Sequence, residues 1–455
     1  MLTQPIRGRS LGRAGAAQPL PASNALVAYL LLIGVALPSS ITVYVGGAKF
    51  IPARIAICLL LLPALFQLFR NRRIGAPDIC IFAAATWMLA AVAQTDESWS
   101  NTAAVVLEFA GGYVLARAYF FERLQLETFV RVLKAVTISI VLMAALEHLT
   151  GYNIPELLLG MPNSGHEYRY GLMRAYATFP HAILYGTFCA VAGAILLYSE
   201  RTSSGRIMYG GICLIGCLLA MSTAPLMAFS IAIAVYCYDR FMSAYPWRWQ
   251  VILTIMIAFL VIVFATANKP VSWLVAHLTL DPATGYFRVA TWDNALHYIG
   301  LSPYVGYGFA SYAPEDFFAN ASADAVWLTM SLRFGVPATA LLFLANIASF
   351  YRSGPSSGTW RFTDPCMSNL RTGFTLALAL FMFVGFTVHY WNNIWILWGI
   401  CIGIRASLRE EYFKGNLSPA FAHWQGDNRE VFAQTVPGVS RIASHPLRGI
   451  DGVRP

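Results

Sequence analysis

Three arginines lie in the two long loops of an otherwise apolar chain, at about 149–180 and 269–322: Arg169, Arg174 and Arg288. An arginine guanidinium keeps its charge at any relevant pH, and its planar fork binds two phosphate oxygens at once. Beside a membrane, such side chains suit a lipid-linked phosphate or diphosphate. The alternative is that they pair with lipid headgroups or with a nearby acid such as Glu167.

The spacing of the residues after Arg288 predicts how its side chain is directed. Four apolar residues follow it at the three- and four-residue intervals of one helix face: Trp292, Ala295, Leu296 and Ile299. The pattern predicts a short helix over 287–299 that turns Arg288 toward the bundle. A charge that points inward needs a partner, which is either an acid or an anionic ligand.

A fourth arginine, Arg333, lies about ten residues into an apolar segment that starts near position 323. At a rise of ~1.5 Å per residue, this places the charge roughly 15 Å deep, close to the middle of a bilayer. Ionisable groups at that depth face a cavity or a partner within the bundle, and Glu108 is a possible structural partner. Gly335 and Pro337 follow at once, so we expect the helix to break there.

Several side chains are candidates for a general base, the group that takes a proton from an attacking hydroxyl. Asp324 opens the segment that carries Arg333, although an acid at this position could equally cap the helix. His181 is a rival base at the start of an earlier apolar segment. Three further histidines lie in loops or turns, where surface positions are common: His166, His297 and His389.

Membrane-spanning helices are the elements that must position these residues. The chain has 455 residues, of which 57% are hydrophobic and 12% charged, and its mean hydropathy is +0.58. A soluble domain carries about 25% charged residues, and a helix needs about 20 mostly apolar residues to cross a bilayer. We therefore predict an all-α polytopic membrane protein with about twelve spans, at 24–40, 51–69, 76–94, 102–121, 130–148, 181–198, 207–221, 226–241, 249–268, 323–350, 370–388 and 394–410.

Basic residues indicate the orientation of these spans. Arginines follow every second span, on the same side as Arg7, Arg9 and Arg13 near the N-terminus. Because positive charge favours cytoplasmic loops, we predict both termini in the cytoplasm and the two long loops on the opposite side. The chain then divides into a cytoplasmic segment 1–23, a transmembrane domain 24–410 and a flexible cytoplasmic tail 411–455.

Charge, cysteine content and one short motif argue against other classes of protein. The net charge of +9 is spread between apolar segments, so no nucleic acid is expected as a partner. Cys213 and Cys217 share a helix face, but no second pair completes a metal site, so we expect no metal and no cofactor. The sequence VGYG at 305–308 resembles a potassium-channel filter, which needs four converging copies and occurs here once.

Three segments carry a combined pattern. The first is 174–181 (RAYATFPH), the second is 287–292 (FRVATW) with 301–308 (LSPYVGYG), and the third is 324–328 (DAVWL) with 333–335 (RFG). In order, spacing and topology, these segments resemble the O-antigen ligase and polysaccharide polymerase family of bacterial inner-membrane proteins, across roughly 50–410.

The resemblance implies a glycosyltransferase with the multi-helix, glycosyltransferase C-type-like fold of lipid-carrier-dependent enzymes. Its donor is a glycan on undecaprenyl diphosphate, and an acceptor glycan attacks the anomeric carbon at the periplasmic face with inversion. Preorganised arginines stabilise the departing diphosphate without a metal ion. By this resemblance Arg174 and Arg288 bind the diphosphate with support from Arg169, and Arg333 is a further candidate ligand. Faces for stacking on sugars come from Tyr170, Tyr176, Tyr286 and Trp292, with an interfacial aromatic belt as the alternative.

The chain also departs from the family pattern. Ligases of this type have a histidine near the position of Asp324, and the segment 222–225 lacks an arginine that is common in relatives. The first departure favours an exopolysaccharide or O-antigen polymerase, with a chain-length regulator and a flippase as possible partners. The alternatives are an O-antigen ligase that transfers glycan to lipid A–core and, from another class, a glycan flippase or transporter.

Overall fold

A computed structural model describes residues 22–45, 48–95, 99–159, 167–169, 171–268, 273, 282–310, 325–350 and 365–414. Within them the helices are α1 (Ala22–Ala36), α2 (Pro52–Asn71), α3 (Ala76–Val92), α4 (Trp99–Tyr119), α5 (Arg123–Thr150), α6 (Ile154–Leu159), α7 (Ala182–Ser199), α8 (Ser203–Leu219), α9 (Thr223–Phe241), α10 (Arg248–Thr266), α11 (Pro282–Leu301), α12 (Val326–Phe350), α13 (Pro365–Val384) and α14 (Asn392–Lys414). Two short antiparallel hairpins pair β1 (Val43–Val45) with β2 (Ala48–Phe50) and β3 (Tyr168–Arg169) with β4 (Leu172–Met173).

Each apolar segment of the sequence coincides with one of these helices, while α6 and α11 lie within the two long loops. Among the described residues, six helices are long and apolar enough to cross a membrane, namely α2, α5, α7, α10, α12 and α13. The described part of the chain is therefore all-α, as predicted, and its long apolar helices indicate a membrane protein. The count of twelve spans stays a prediction.

Burial separates an interior helix from a peripheral one. Helix α7 packs against α8, α9 and α13, and 89% of its most apolar stretch is buried. Helix α10 is as apolar, yet only 6% of the corresponding stretch is buried. An all-round apolar helix can lie inside a bundle or face lipid. Accordingly, α7 belongs to the core of the bundle, whereas α10 lies at its periphery with an exposed apolar surface.

A buried ion pair joins α3 to α4. Arg117 contacts Asp78 through two bonds, Nε to Oδ1 at 2.9 Å and Nη2 to Oδ2 at 3.0 Å. Both side chains are at most 2% exposed, and the Tyr113 hydroxyl also donates to Asp78 Oδ1. Removing one partner of such a pair leaves a buried charge without compensation, which is strongly destabilising.

Helix α12 is broken at Gly335, as predicted, where the backbone has φ 79° and ψ 167°. The segment 303–308 fills the break with three backbone hydrogen bonds: Val336 N–H to Pro303 O at 2.8 Å, Tyr307 N–H to Leu332 O at 2.7 Å, and Gly308 N–H to Arg333 O at 2.9 Å. The indole of Trp87 adds bonds to the carbonyl oxygens of Tyr304 and Phe334. The VGYG motif is thus part of a backbone junction, which we call the α12 junction (303–308 and 332–336).

Glycine is required at two positions of the α12 junction. A Cβ on Gly335 would overlap the carbonyl oxygen of Tyr304, and one on Gly306, at φ 75°, would overlap that of Leu332. Both obstacles are backbone atoms, which cannot rotate away as a side chain does. The close approach of the two segments therefore depends on the absence of side chains at these glycines, and it holds the backbone of Arg333, whose carbonyl oxygen accepts from Gly308.

Two details of the sequence interpretation were wrong. Glu108 pairs with Arg54 at 2.7 Å and not with Arg333, because the packing of α2 against α4 brings those two side chains together. In α11, Trp292 and its stripe neighbours Ala295 and Ile299 are buried as predicted, but Leu296 is 45% exposed. The buried stripe of α11 is therefore narrower than its apolar sequence.

Candidate functional site

A short turn between α13 and α14, residues 385–391, borders several of the predicted site residues. It is held in place by the first N–H of α12, because Val326 N–H donates to the carbonyl oxygens of Gly385 and Val388 at 3.0 Å each. The buried hydroxyl of Tyr390 donates back to a carbonyl of α13 at 2.8 Å. These bonds hold the backbone of the 385–391 turn in place, and side chains from other elements lie against it.

Arg288 lies in a cleft between α11, α12 and this turn. The cleft is lined by Trp292, Leu328, Phe386 and Thr387, among others. Helix α11 docks onto the turn through Trp292, whose indole N–H donates to Phe386 O at 3.1 Å and whose ring stacks on Phe386 at 6.0 Å between centroids. Trp292 is only 7% exposed, so the structure leaves little of its ring for the stacking on a sugar that the sequence predicted.

Arg333 reaches the site from α12, just before the helix break. Its guanidinium carbon lies 4.4 Å from the ring centroid of Phe309, a distance typical of a cation–π contact. Within the described residues, no carboxylate lies within ion-pair distance of Arg333, although its side chain is largely buried. A largely buried cation without an acid is costly, and an anionic ligand would supply the missing charge.

His389 belongs to the 385–391 turn and lies next to Arg333 of α12. Its Nδ1 atom is buried and has no hydrogen-bond partner among the described residues. Burial, with the charge of Arg333 as the second cause, lowers the pKa of His389 from 6.5 to about 3. The imidazole is therefore neutral near pH 7, and the fixed charge here belongs to Arg333.

Arg174 belongs to a second group of residues, in the loop before α7. It forms an ion pair with Glu167, and its Nε donates to Ala220 O at 3.3 Å. Burial lowers the pKa of Arg174, while the charge of Glu167 opposes that shift. The pairing with Glu167 is the alternative that the sequence left open, and it compensates the charge of Arg174. Arg169, from the same loop, donates to Met221 O at 3.0 Å.

His181 joins this loop to the 385–391 turn. Its Nδ1 accepts from Ile183 N–H at 3.1 Å, which caps the N-terminus of α7, and its Nε2 lies 3.2 Å from Glu167 Oε1. The ring of His181 lies 6.4 Å from that of Trp391, at the end of the turn. Both ring nitrogens of His181 are thus used within the protein.

Glu147, which the sequence interpretation overlooked, supports the loop of Arg174 from α5. Its carboxylate is fully buried and accepts the backbone N–H of Ala177 at 2.7 Å and of Tyr176 at 3.3 Å. Asn153 donates to Ala177 O at 3.0 Å, and Ala177 has φ 50°. An acid near the end of the apolar stretch 130–148 was the signal for this role.

The remaining site candidates occupy different surroundings. The hydroxyl of Tyr176 donates to Glu156 at 3.1 Å, so this side chain is tied to the loop of Arg174. Tyr286 is 75% exposed on α11. Asp324 and Tyr170 lie outside the described residues, so their predicted roles as base and as sugar-binding residue stay predictions.

The structure therefore brings Arg288, Arg333 and His389 to the 385–391 turn and links Arg174 to it through His181 and Trp391. At such a site the arginine can bind an anion, and the neutral imidazole can accept a proton. No protein-family model matches the sequence, and no curated protein matches it either.

Proposed function

We propose that the chain is an inverting, metal-independent glycosyltransferase that polymerises undecaprenyl-diphosphate-linked glycan repeat units in exopolysaccharide or O-antigen synthesis. It acts at the periplasmic face of the bacterial inner membrane, with both termini in the cytoplasm and twelve spans. The observation that carries the proposal is Arg333, a largely buried cation that has no acid partner among the described residues.

The chemistry of the reaction demands such a cation. When the acceptor hydroxyl attacks the anomeric carbon, the bond to the lipid diphosphate breaks and negative charge develops on the leaving group. A preorganised donor that faces this charge in a water-poor site lowers the barrier, and the loss of one such donor costs about 10²–10³ in rate. In our proposal Arg333 binds the diphosphate, and Arg288 binds the same group from the neighbouring cleft.

The two loop arginines have a less direct role in this proposal. The Arg174 charge is compensated by Glu167, and Arg169 is bonded to a backbone carbonyl. Arg174 therefore binds the diphosphate only if the ligand displaces Glu167, whose side chain is 51% exposed. Tyr176 and Tyr286 supply surfaces for the sugars of donor and acceptor.

The test is polymer elongation by purified protein in lipid nanodiscs. The substrate is an undecaprenyl-diphosphate-linked repeat unit, and oligomers are separated by gel and identified by mass spectrometry. We expect wild-type protein to form oligomers and Arg333→Ala to lose about 10²–10³ of the rate, because the leaving group loses its cation. Arg333→Lys recovers little, since an ammonium group lacks the two-pronged fork. The matched control is Arg201→Ala, an arginine that is 69% exposed and paired with Glu127.

The same assay separates the alternatives. Transfer of one glycan to lipid A–core, without elongation, identifies a ligase. Transport of the lipid-linked unit across a liposome membrane, without a new glycosidic bond, identifies a flippase. Full elongation activity in a folded Arg333→Ala variant excludes the proposed site.

A further inference from the structure

We propose that His389 is the general base of this glycosyl transfer and that its basicity depends on donor binding at Arg333. The assignment rests on the proposed function. It follows from the position of His389 in the 385–391 turn, from its contacts and from the commitments of the other candidates among the described residues.

The other described histidines at this end of the bundle are already engaged or exposed. His181 uses one nitrogen to cap α7 and turns the other to Glu167. His148 Nδ1 is bonded to Met173 O at 2.7 Å. His297 is exposed on α11, where it contacts the ring of Tyr298.

The acids of the Arg174 loop are committed as well. Glu147 accepts two backbone N–H groups, so its lone pairs hold the loop in place. Glu167 pairs with both Arg174 and His181. In contrast, the buried Nδ1 of His389 has no hydrogen-bond partner among the described residues, and part of the side chain is exposed. The imidazole is therefore not held by the described protein, which leaves it free to bond a substrate hydroxyl.

Three neighbouring groups surround His389, and two of them are charged. Arg333 faces it from α12, and Arg288 lies in the adjacent cleft on α11 beside Thr387 of the same turn. On the third side the ring of Trp391 lies 5.7 Å from that of His389 and 6.4 Å from that of His181, which is paired with Glu167. Arg333 is the charge that acts on the imidazole directly, and it opposes protonation.

Donor binding reverses this electrostatic environment. In the free protein, burial and the positive charge of Arg333 hold the pKa of His389 at about 3, so the imidazole is a weak base. A diphosphate bound to Arg333 adds negative charge close to the ring, and an opposite charge nearby favours the protonated form. His389 then becomes a stronger base only when the donor is in place, which couples proton removal to the presence of a leaving group.

The proposed step balances as follows. The acceptor hydroxyl oxygen forms a bond to the anomeric carbon, while the bond from that carbon to the diphosphate oxygen breaks and its electron pair leaves with the diphosphate. The hydroxyl proton moves to a ring nitrogen of His389. The imidazolium is paired with the departing diphosphate and releases its proton to water after the lipid diphosphate leaves.

The experiment compares binding and turnover in wild type, His389→Gln and the control His297→Gln. Binding is measured with farnesyl diphosphate as the probe, and turnover with the undecaprenyl-diphosphate-linked repeat unit. We expect His389→Gln to bind the probe within about threefold of wild type and to elongate about 10²–10⁴-fold more slowly, the usual contribution of a general base. His297→Gln keeps both properties. A His389→Gly variant, which leaves space for a small base, regains activity when imidazole is added.

The outcomes distinguish the two proposals. Wild-type protein that makes no glycosidic bond overturns the proposed function. If wild type elongates and His389→Gln keeps more than about a tenth of its rate, the role of His389 fails while the proposed function stands. Loss of probe binding in parallel with the rate makes His389 a ligand of the donor and also overturns its assignment as the base. The thermal midpoint of each variant confirms that it is folded.

Discussion

Replacement of Gly335 by alanine tests the α12 junction that positions Arg333. The backbone of Gly335 has φ 79° and ψ 167°, in a region that is essentially restricted to glycine and costs other residues about 1–3 kcal/mol. The added Cβ would also overlap the carbonyl oxygen of Tyr304. Relief of that overlap must separate 303–308 from α12 and weaken three backbone hydrogen bonds, each worth about 1 kcal/mol. We therefore expect Gly335→Ala to lower the free energy of unfolding by about 3–5 kcal/mol.

Two other glycines separate the causes of this loss. Gly151 caps α5 at φ 74° and ψ 12° with open space around it, so Gly151→Ala carries backbone strain alone, about 1–2 kcal/mol. Gly300 lies in α11 with open space and no positive φ, so Gly300→Ala should be neutral or stabilising by up to about 1 kcal/mol.

The assay is reversible unfolding in mixed micelles, followed by tryptophan fluorescence, together with the affinity of each variant for farnesyl diphosphate. We expect Gly335→Ala to lose the most stability of the three and to bind the probe less well at subdenaturing conditions, because Arg333 is displaced. If Gly335→Ala is no less stable than Gly151→Ala, the overlap with Tyr304 does not exist in solution and the account of the α12 junction is refuted.

Three further predictions follow from buried groups. Asp78→Asn leaves Arg117 buried without its carboxylate, so the free energy of unfolding should fall by about 3–5 kcal/mol. Glu147→Gln removes a carboxylate acceptor from the backbone N–H of Ala177, so that N–H should exchange with deuterium faster, as measured by mass spectrometry. The pKa of His389 is about 3 in the folded state against 6.5 in the unfolded chain. Acidification from about pH 6.5 toward 3 therefore protonates the unfolded state first. The free energy of unfolding should fall over this range by up to about 1.4 kcal/mol per pH unit.

Each of these predictions has a matched control or a contradicting result. Arg123→Gln disrupts an exposed pair with Glu127 and should lower the free energy of unfolding by less than about 1 kcal/mol. An equally small loss in Asp78→Asn would show that the buried pair with Arg117 contributes no more than the exposed one. If the Ala177 N–H exchanges with deuterium at the same rate in Glu147→Gln, Glu147 does not stabilise the loop. His389→Gln should flatten the acid-side loss of stability, whereas His297→Gln should not.

Hydropathy was sufficient to place the helices, because a membrane span must be long and apolar whatever it packs against. The break at Gly335 was also predictable, since glycine followed by proline interrupts a helix. The short hairpins, by contrast, follow no such pattern. The partner of Glu108 depends on which helices pack together, so the sequence suggested Arg333 and did not point to Arg54.

The candidate site was predictable in its residue types but not in its arrangement. Arg288 and Arg333 were recognisable because charge is rare in apolar segments. His389 was visible only as one histidine in a short turn, since its importance comes from Arg333, which is 56 positions earlier in the sequence and adjacent in space. The VGYG motif was assigned to the family pattern and not to a channel filter, and its role in the α12 junction emerges only from hydrogen bonds between distant segments.

The most direct test of the central claim is the product formed by purified protein from a lipid-diphosphate repeat unit of known anomeric configuration. The proposed function predicts oligomers whose new linkages have the inverted configuration by NMR, one lipid diphosphate released per linkage, and an Arg333→Ala variant that forms almost none. Retained configuration, or equal product from folded Arg333→Ala, would contradict it.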